Sequence, residues 1–412
     1  MHEIDAESGS HSSQNWYLRL PLYAKIIAAL VLGSIVGHFV GPDSEKLKWI
    51  ADLVLRMLRL LATPLIFSAV LGSIITANVS GRKAGRLMFL LMTNSIVAIL
   101  IGLLVANVLR PGQHLKLEAG TAMTDKEPYS LWQHLYDSIP TDFITPFVKN
   151  DIISVIILAI ALGVGMRILL NAKNEQLVRS VKALQNVMSA VFQLMITILK
   201  WVFELVPLAV FAVVARVVGK TGFDKLFAMG YWVMSVLVAL LLMTAFYLVR
   251  LMIQSKIKPM QFLRGGTDAF AMAFSTASSA ATLPITYKCA TEKLGVKEDS
   301  ANLGIMVGGT FNHDGTALYE AMAALFVAQG IGLQLSIQQQ IVIVLMAIIA
   351  SVGAAGIPEA GLVTMIAVFK AVNLPIEFIP FLLLVDWFLD RCRTTINVMG
   401  DMASTCILDS KD

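Results

Sequence analysis

Long apolar runs alternate with short polar connections along most of the chain. The stretches 26–40, 97–109 and 232–248 contain no Asp, Glu, Lys or Arg. At 1.5 Å rise per residue, about 20 such residues cross the hydrocarbon of a bilayer. The pattern predicts membrane-spanning helices rather than core helices of a water-soluble domain. After about Lys258 the rhythm changes: the chain stays apolar but turns rich in Ser, Ala and Gly. Two segments there are interrupted at their middle by small residues and one proline, Ala271-Met-Ala-Phe-Ser-Thr-Ala-Ser-Ser-Ala-Ala-Thr-Leu-Pro284 and Ala350-Ser-Val-Gly-Ala-Ala-Gly-Ile-Pro-Glu-Ala-Gly361. Proline removes a backbone donor and disfavours helix at the residue before it. A broken helix is tolerated in a membrane only where protein or a wet cavity satisfies the freed backbone groups. A pair of such segments points to a transporter's binding site.

Composition agrees with this pattern. Of 412 residues, 57% are hydrophobic and 15% charged, against roughly 25% charged in ordinary soluble chains. That balance excludes a disordered tail protein and a secreted disulfide scaffold, and a net charge of +4 is too small for a nucleic-acid binder. Cys289, Cys392 and Cys406 lie in apolar context without metal-ligand spacing and read as packing residues, so no cofactor is expected. Residues 1–16 lack the basic start and short apolar run of a signal peptide, so the first apolar segment is expected to remain as a span.

Loop charges predict the orientation. Arg82, Lys83 and Arg86 follow the second apolar segment. Arg167, Lys173, Arg179 and Lys182 follow the fourth, and Arg250, Lys256, Lys258 and Arg264 the sixth. The alternate loops are mixed or acidic. Basic loops face the cytoplasm, which places the N-terminus and the even-numbered exits there.

Candidate chemistry concentrates in the last span, 379–408. With Asp386 at zero, Asp390 falls at about 40°, Arg393 at about −20°, Asn397 at about 20°, Asp401 at about 60° and Thr394 at about 80° around the helix. Arg391, at about 140°, stands apart. A charge at mid-membrane costs at least about 2.5–3.5 kcal/mol, so this stripe must face protein interior or water. Arg393 offers a planar fork for a carboxylate. Asp390 can take an ammonium group, and backbone N–H groups at the two breaks can hold a second carboxylate. An amine with two carboxylates, aspartate or glutamate, satisfies all three. Asp386 and Asp401 remain as oxygen donors for a cation. Upstream, Gly-flanked Asp314 in Asn312-His-Asp-Gly-Thr316 suggests an unwound helix that coordinates a small cation. Glu320, without a basic neighbour in sequence, is a candidate proton carrier.

These residues resemble the dicarboxylate/amino acid:cation symporter family, which includes the excitatory glutamate transporters. Ser278-Ser-Ala-Ala-Thr-Leu-Pro284 is similar to the tip of the family's first re-entrant hairpin and Ser351-Val-Gly-Ala-Ala-Gly-Ile-Pro-Glu-Ala-Gly361 to the second. Val385-Asp-Trp-Phe-Leu-Asp-Arg-Cys-Arg-Thr-Thr-Ile-Asn-Val-Met-Gly-Asp401 is similar to the last span. The resemblance implies an all-α polytopic membrane protein with the glutamate-transporter fold: eight spanning helices plus two re-entrant helical hairpins, with inverted repeats. It implies a cytoplasmic tail (1–18), scaffold spans 1–2 (19–79), span 3 of a mobile transport domain (80–110), an outer loop with scaffold spans 4–5 (111–218), and the remaining transport domain (219–412). It further implies a homotrimer in the plasma membrane (the inner membrane of a bacterium), working as an elevator-type symporter and not as an enzyme. By the same resemblance, Ser279, Thr316, Ile357, Gly361, Asp390, Arg393, Thr394 and Asn397 hold substrate, and Ser95, Asn312, Asp314, Asn397 and Asp401 form cation sites. Glu320 matches the proton-carrier position.

Three departures bear on the coupling ion. His313 stands where the family has methionine, and Leu91 and Asn94 stand for a tyrosine and a threonine used around one sodium, while Ser95 is kept. They weaken the case for Na+ and leave H+ as the other coupling ion. His313 is then either a cationic stand-in for sodium or a packed neutral side chain. The expected function is cation-coupled transport of L-aspartate or L-glutamate. The alternative is a proton-coupled or Na+-independent carrier of these acids or of C4-dicarboxylates. An intramembrane aspartyl protease needs paired aspartates; here arginine accompanies them along one helix and no Gly-x-Gly-Asp sequence occurs.

Overall fold

A computed structural model describes residues 21–76, 81–115, 133, 136–353 and 360–410. Helices make up the regular structure, and no strand occurs among the described residues. They run α1 (Leu22–Val40), α2 (Lys48–Thr76), α3 (Gly81–Leu109), α4 (Ile152–Leu170), α5 (Glu175–Phe203), α6 (Val206–Thr221) and α7 (Asp224–Gln254). The second part of the chain holds α8 (Pro259–Thr276), α9 (Ser279–Lys288), α10 (Glu298–Phe311), α11 (Asp314–Gly330), α12 (Ile337–Gly353), α13 (Ala360–Ala371) and α14 (Ile379–Asp409).

Local chemistry explains several boundaries. Asn174 caps α5 by accepting from the N–H groups of Gln176 and Leu177 at 3.0 and 3.2 Å, which satisfies donors that have no partner inside the helix. Prolines occupy the first turns of α6, α8 and α14, where the missing N–H costs nothing. Five helical stretches among the described residues are long and apolar enough to cross a membrane: Leu22–Ile75, Arg82–Leu109, Ile152–Leu170, Glu175–Phe203 and Leu226–Gln254.

The interruptions take particular forms. Between α8 and α9 the break falls at Ala277, in the left-handed region at φ 52°, and at Ser278, whose hydroxyl accepts from Ala281 N at 3.2 Å. Pro284 lies inside α9 and does not itself make that break; the left-handed residue and the capping serine do. The segment 354–359 between α12 and α13 lies outside the described residues, and with it Ile357; so does the tail 1–18. Between α10 and α11 the helix unwinds at Asn312 and His313, as the glycine-flanked aspartate led one to expect.

The second half of the chain is organised around α14. Helices α7, α8, α10 and α11 all pack on it, and from Ile396 to Leu408 it is buried on every side. One charge changes place relative to the sequence reading. Arg250 was expected in a cytoplasmic loop, but α7 continues to Gln254 and Arg250 is buried at 8% exposure.

Candidate functional site

Two polar clusters lie inside this helical packing. The first centres on Arg393, which is 0% exposed. Its Nη1 donates to Asp386 Oδ1 at 2.7 Å, and its Nη2 donates to Asp386 Oδ2 at 3.3 Å and to Asp390 Oδ1 at 2.8 Å. The guanidinium carbon sits 4.0 Å from the centre of the Tyr319 ring, a cation–π arrangement. The helical stripe is thus an ion triad spanning eight residues. Asp386, read from sequence as a cation donor, is instead held by the arginine. With both carboxylates ionised the triad carries one surplus negative charge.

Around it the chain is tight. Gly315, at the start of α11, passes so close to α14 that a Cβ there would meet Arg393 O at 2.6 Å, so a side chain is excluded. Its N–H donates to Asn397 Oδ1 at 2.8 Å, and Asn397 Nδ2 donates to Thr316 Oγ1 at 3.3 Å. Gly361 comes beside both residues: a Cβ there would lie 3.0 Å from Thr316 Cγ2 and 3.7 Å from Arg393 Nη2. Thr394 is buried on α14, and Ser279 is buried at the first position of α9. Arg391, the outlier of the stripe, donates to Phe274 O at 2.9 Å and Ser275 O at 2.5 Å. It caps the C-terminal carbonyls of α8, where a cation complements the helix dipole, and so ties the break at Ala277 to α14.

The second cluster centres on Asp314 and Asp401, at 0% and 1% exposure. Ser95 donates to Asp314 Oδ1 at 2.6 Å, and Tyr247 donates to Asp314 Oδ2 at 2.5 Å. Asn312 Nδ2 donates to Asp401 Oδ1 at 3.0 Å and to Asn397 O at 3.2 Å. Asn312 Oδ1 is buried without a partner. Carboxylate, backbone carbonyl and amide oxygens are the donors a small hard cation takes, but here Asn312 Nδ2 holds the Asp401 and Asn397 oxygens, and the amide would have to turn to admit an ion. Asp314 differs, because hydroxyl donors already meet both its oxygens.

His313 Nδ1 lies 2.9 Å from Ser351 O, and its Nε2 is buried without a partner among the described residues. A carbonyl only accepts, so Nδ1 carries the proton; a second proton on Nε2 would leave a charged donor unsatisfied. The geometry fits a neutral imidazole that ties the α10–α11 break to the end of α12. Glu320 Oε1 accepts from Thr364 Oγ1, which also approaches Gly361 O at 3.1 Å, while Glu320 Oε2 has no partner.

Sequence reasoning missed Tyr247, Arg250, Tyr319 and Thr364. A signal existed for the first two, a tyrosine and an arginine three residues apart, one helical turn, in an otherwise apolar helix. Tyr319 and Thr364 looked like ordinary packing residues.

The chain is similar in sequence to known transport proteins. The C4-dicarboxylate transport protein of Rhizobium johnstonii is 30% identical over 420 residues, covering 98% of this chain and 91% of the relative. That of Paracoccus denitrificans is 28% identical, covering 99% and 90%. An excitatory amino acid transporter of Caenorhabditis elegans is 30% identical over 450 residues, covering 94% and 87%. The model of the sodium:dicarboxylate symporter family matches residues 22–411. The chain belongs to the sodium:dicarboxylate symporter family.

Proposed function

We propose that the protein is a secondary active transporter for acidic amino acids, L-aspartate or L-glutamate. The observation that carries this reading is the buried triad of Asp386, Asp390 and Arg393. A dicarboxylate entering it alone would add two negative charges to a cluster with one already in surplus. An ammonium group beside Asp390 balances that surplus, while Arg393 reads the side-chain carboxylate. Thr316, Thr394 and Asn397 complete the polar wall, with Ser279, Ile357 and Gly361 supplying backbone contacts from the breaks.

The second reading, a C4-dicarboxylate carrier, is favoured by the bacterial relatives, which carry that description. Coupling goes to Na+ at Asp401, Asn312 and Asn397 or to H+ on Glu320, whose free oxygen beside Thr364 offers a place for a proton. We assign the working unit as a homotrimer in the plasma membrane with its N-terminus cytoplasmic, in which 80–110 and 219–412 move against the scaffold.

Uptake of labelled L-aspartate into proteoliposomes, with succinate as competitor, tests the assignment. Asp390→Asn is expected to lower aspartate affinity by about tenfold to a hundredfold, the worth of a hydrogen bond to a charged group, and to leave succinate transport in place. Equal loss of both acids would overturn the amine role. Replacing sodium by choline across about pH 5.5 to 8 then separates the two coupling ions.

A further inference from the structure

Asp314 presents a problem of charge that the two hydroxyls do not solve. A carboxylate at 0% exposure needs a compensating cation or a proton. A cation stands close by in the fold: Arg250, one turn along α7 from Tyr247, which donates to Asp314. Its guanidinium makes no direct ion pair with Asp314 within 4 Å among the described residues, yet it is held by residues next to those that bind Asp314. Nη1 donates to Leu90 O at 3.2 Å and to Asn94 Oδ1, and Nη2 donates to Thr93 Oγ1 at 2.8 Å.

The placement is a two-by-two bracket. On α3, the neighbours Asn94 and Ser95 hold the guanidinium and the carboxylate respectively. On α7, Tyr247 donates to the carboxylate, and Arg250, one turn later, is the guanidinium itself. Asn94 also donates to Ser404 Oγ at 3.0 Å, which extends the bracket to α14. A guanidinium has five donors and no lone pair to offer a metal, and its positive charge repels one. The residues around Asp314 therefore do not suit a bound metal cation. Asp401 lies within electrostatic reach of Asp314 and keeps an oxygen-rich neighbourhood of its own.

We propose that Arg250 is a tethered cation that serves Asp314 in place of a coupling ion, leaving Asp401 as the position open to one. The sequence offers the reason this chain can tolerate Asn94, since an amide oxygen accepts from guanidinium as well as it would coordinate a metal. The consequence is that α3, α7, α11 and α14 are locked together without a bound ion at Asp314, and the number of ions bound in each cycle is reduced by one.

The test reads thermal unfolding of detergent-purified protein in sodium chloride and in choline chloride, without substrate, so its outcome does not depend on which acid is carried. Arg250→Met exposes the uncompensated carboxylate and is expected to gain sodium stabilisation beyond any that the wild type shows through Asp401. Half-saturation for sodium should improve by about tenfold or more, the scale of an ordinary site–site coupling. Adding Asp314→Asn to Arg250→Met should abolish that gain. An identical sodium response in wild type and Arg250→Met overturns the proposal. If Arg250→Met is unstable in choline, recovery by sodium or by Asp314→Asn supports it. Failure of both to recover a folded protein reduces Arg250 to a packing role and overturns it.

Discussion

The two buried clusters solve the same electrostatic problem in different ways. Around Arg393, one helix supplies every charge: Asp386, Asp390 and the arginine fall within eight residues of α14, and two carboxylates grip one guanidinium at 2.7 and 2.8 Å. Around Asp314, four helices contribute. Ser95 comes from α3, Tyr247 and Arg250 from α7, the carboxylate from α11 and its neighbour Asp401 from α14. In the first cluster both carboxylates are met by the guanidinium itself; in the second, hydroxyls meet Asp314 and the tethered cation stands behind them. The contrast lies in where the charges come from: a single helix gathers the first cluster by its own period, whereas the second forms only when four helices pack together.

Three further substitutions test that contrast, and the largest effect is expected at the triad. Arg393→Ala leaves two buried carboxylates facing each other, a loss of about 3–5 kcal/mol for a broken buried pair. Uptake of aspartate and of succinate should both disappear, and preserved binding of either acid in a calorimetric titration would end the assignment of Arg393 as the carboxylate reader. Tyr247→Phe removes one donor from Asp314 while leaving Arg250 in place. The expected cost is about 1.5–3 kcal/mol, as for a hydrogen bond to a charged group, read as a lower midpoint of unfolding with substrate selectivity intact. A change of selectivity would show that the two clusters are not separate in function. The smallest effect belongs to His313→Met, which gives up one bond to Ser351 O worth about 0.5–1.5 kcal/mol. Because the geometry fits a neutral imidazole, the sodium response should be unchanged; a new sodium requirement would show that His313 had carried a charge.

The expectation of an arginine–carboxylate stripe was legible because helical periodicity alone brings residues 386, 390, 393, 397 and 401 to one face. The unwinding at Asn312 and His313 was legible too, from glycines and polar groups set in an apolar run. Arg250 was misplaced for an instructive reason. Near the end of an apolar segment an arginine resembles any loop charge that obeys the positive-inside pattern. The one local hint, Tyr247 a turn earlier, gains its meaning only when α3 arrives with Asn94 and Thr93. Asp386 was assigned to a cation because its spacing suits either role; the competition was settled by Arg393 reaching back two turns.

By itself the sequence determined that this is a helical, apolar chain with broken segments and one charged helix, because those features follow from the hydropathy of runs, the stereochemistry of proline and glycine, and the period of a single helix. Tertiary structure alone decided which donors meet the buried Asp314. Such pairings join residues more than 60 positions apart, as between Tyr247 and Asp314 or Ser95 and Asp314. Burial makes each unpaired charge costly, so the packing of α3, α7, α11 and α14 chooses the partners, and no local pattern in the chain records that choice.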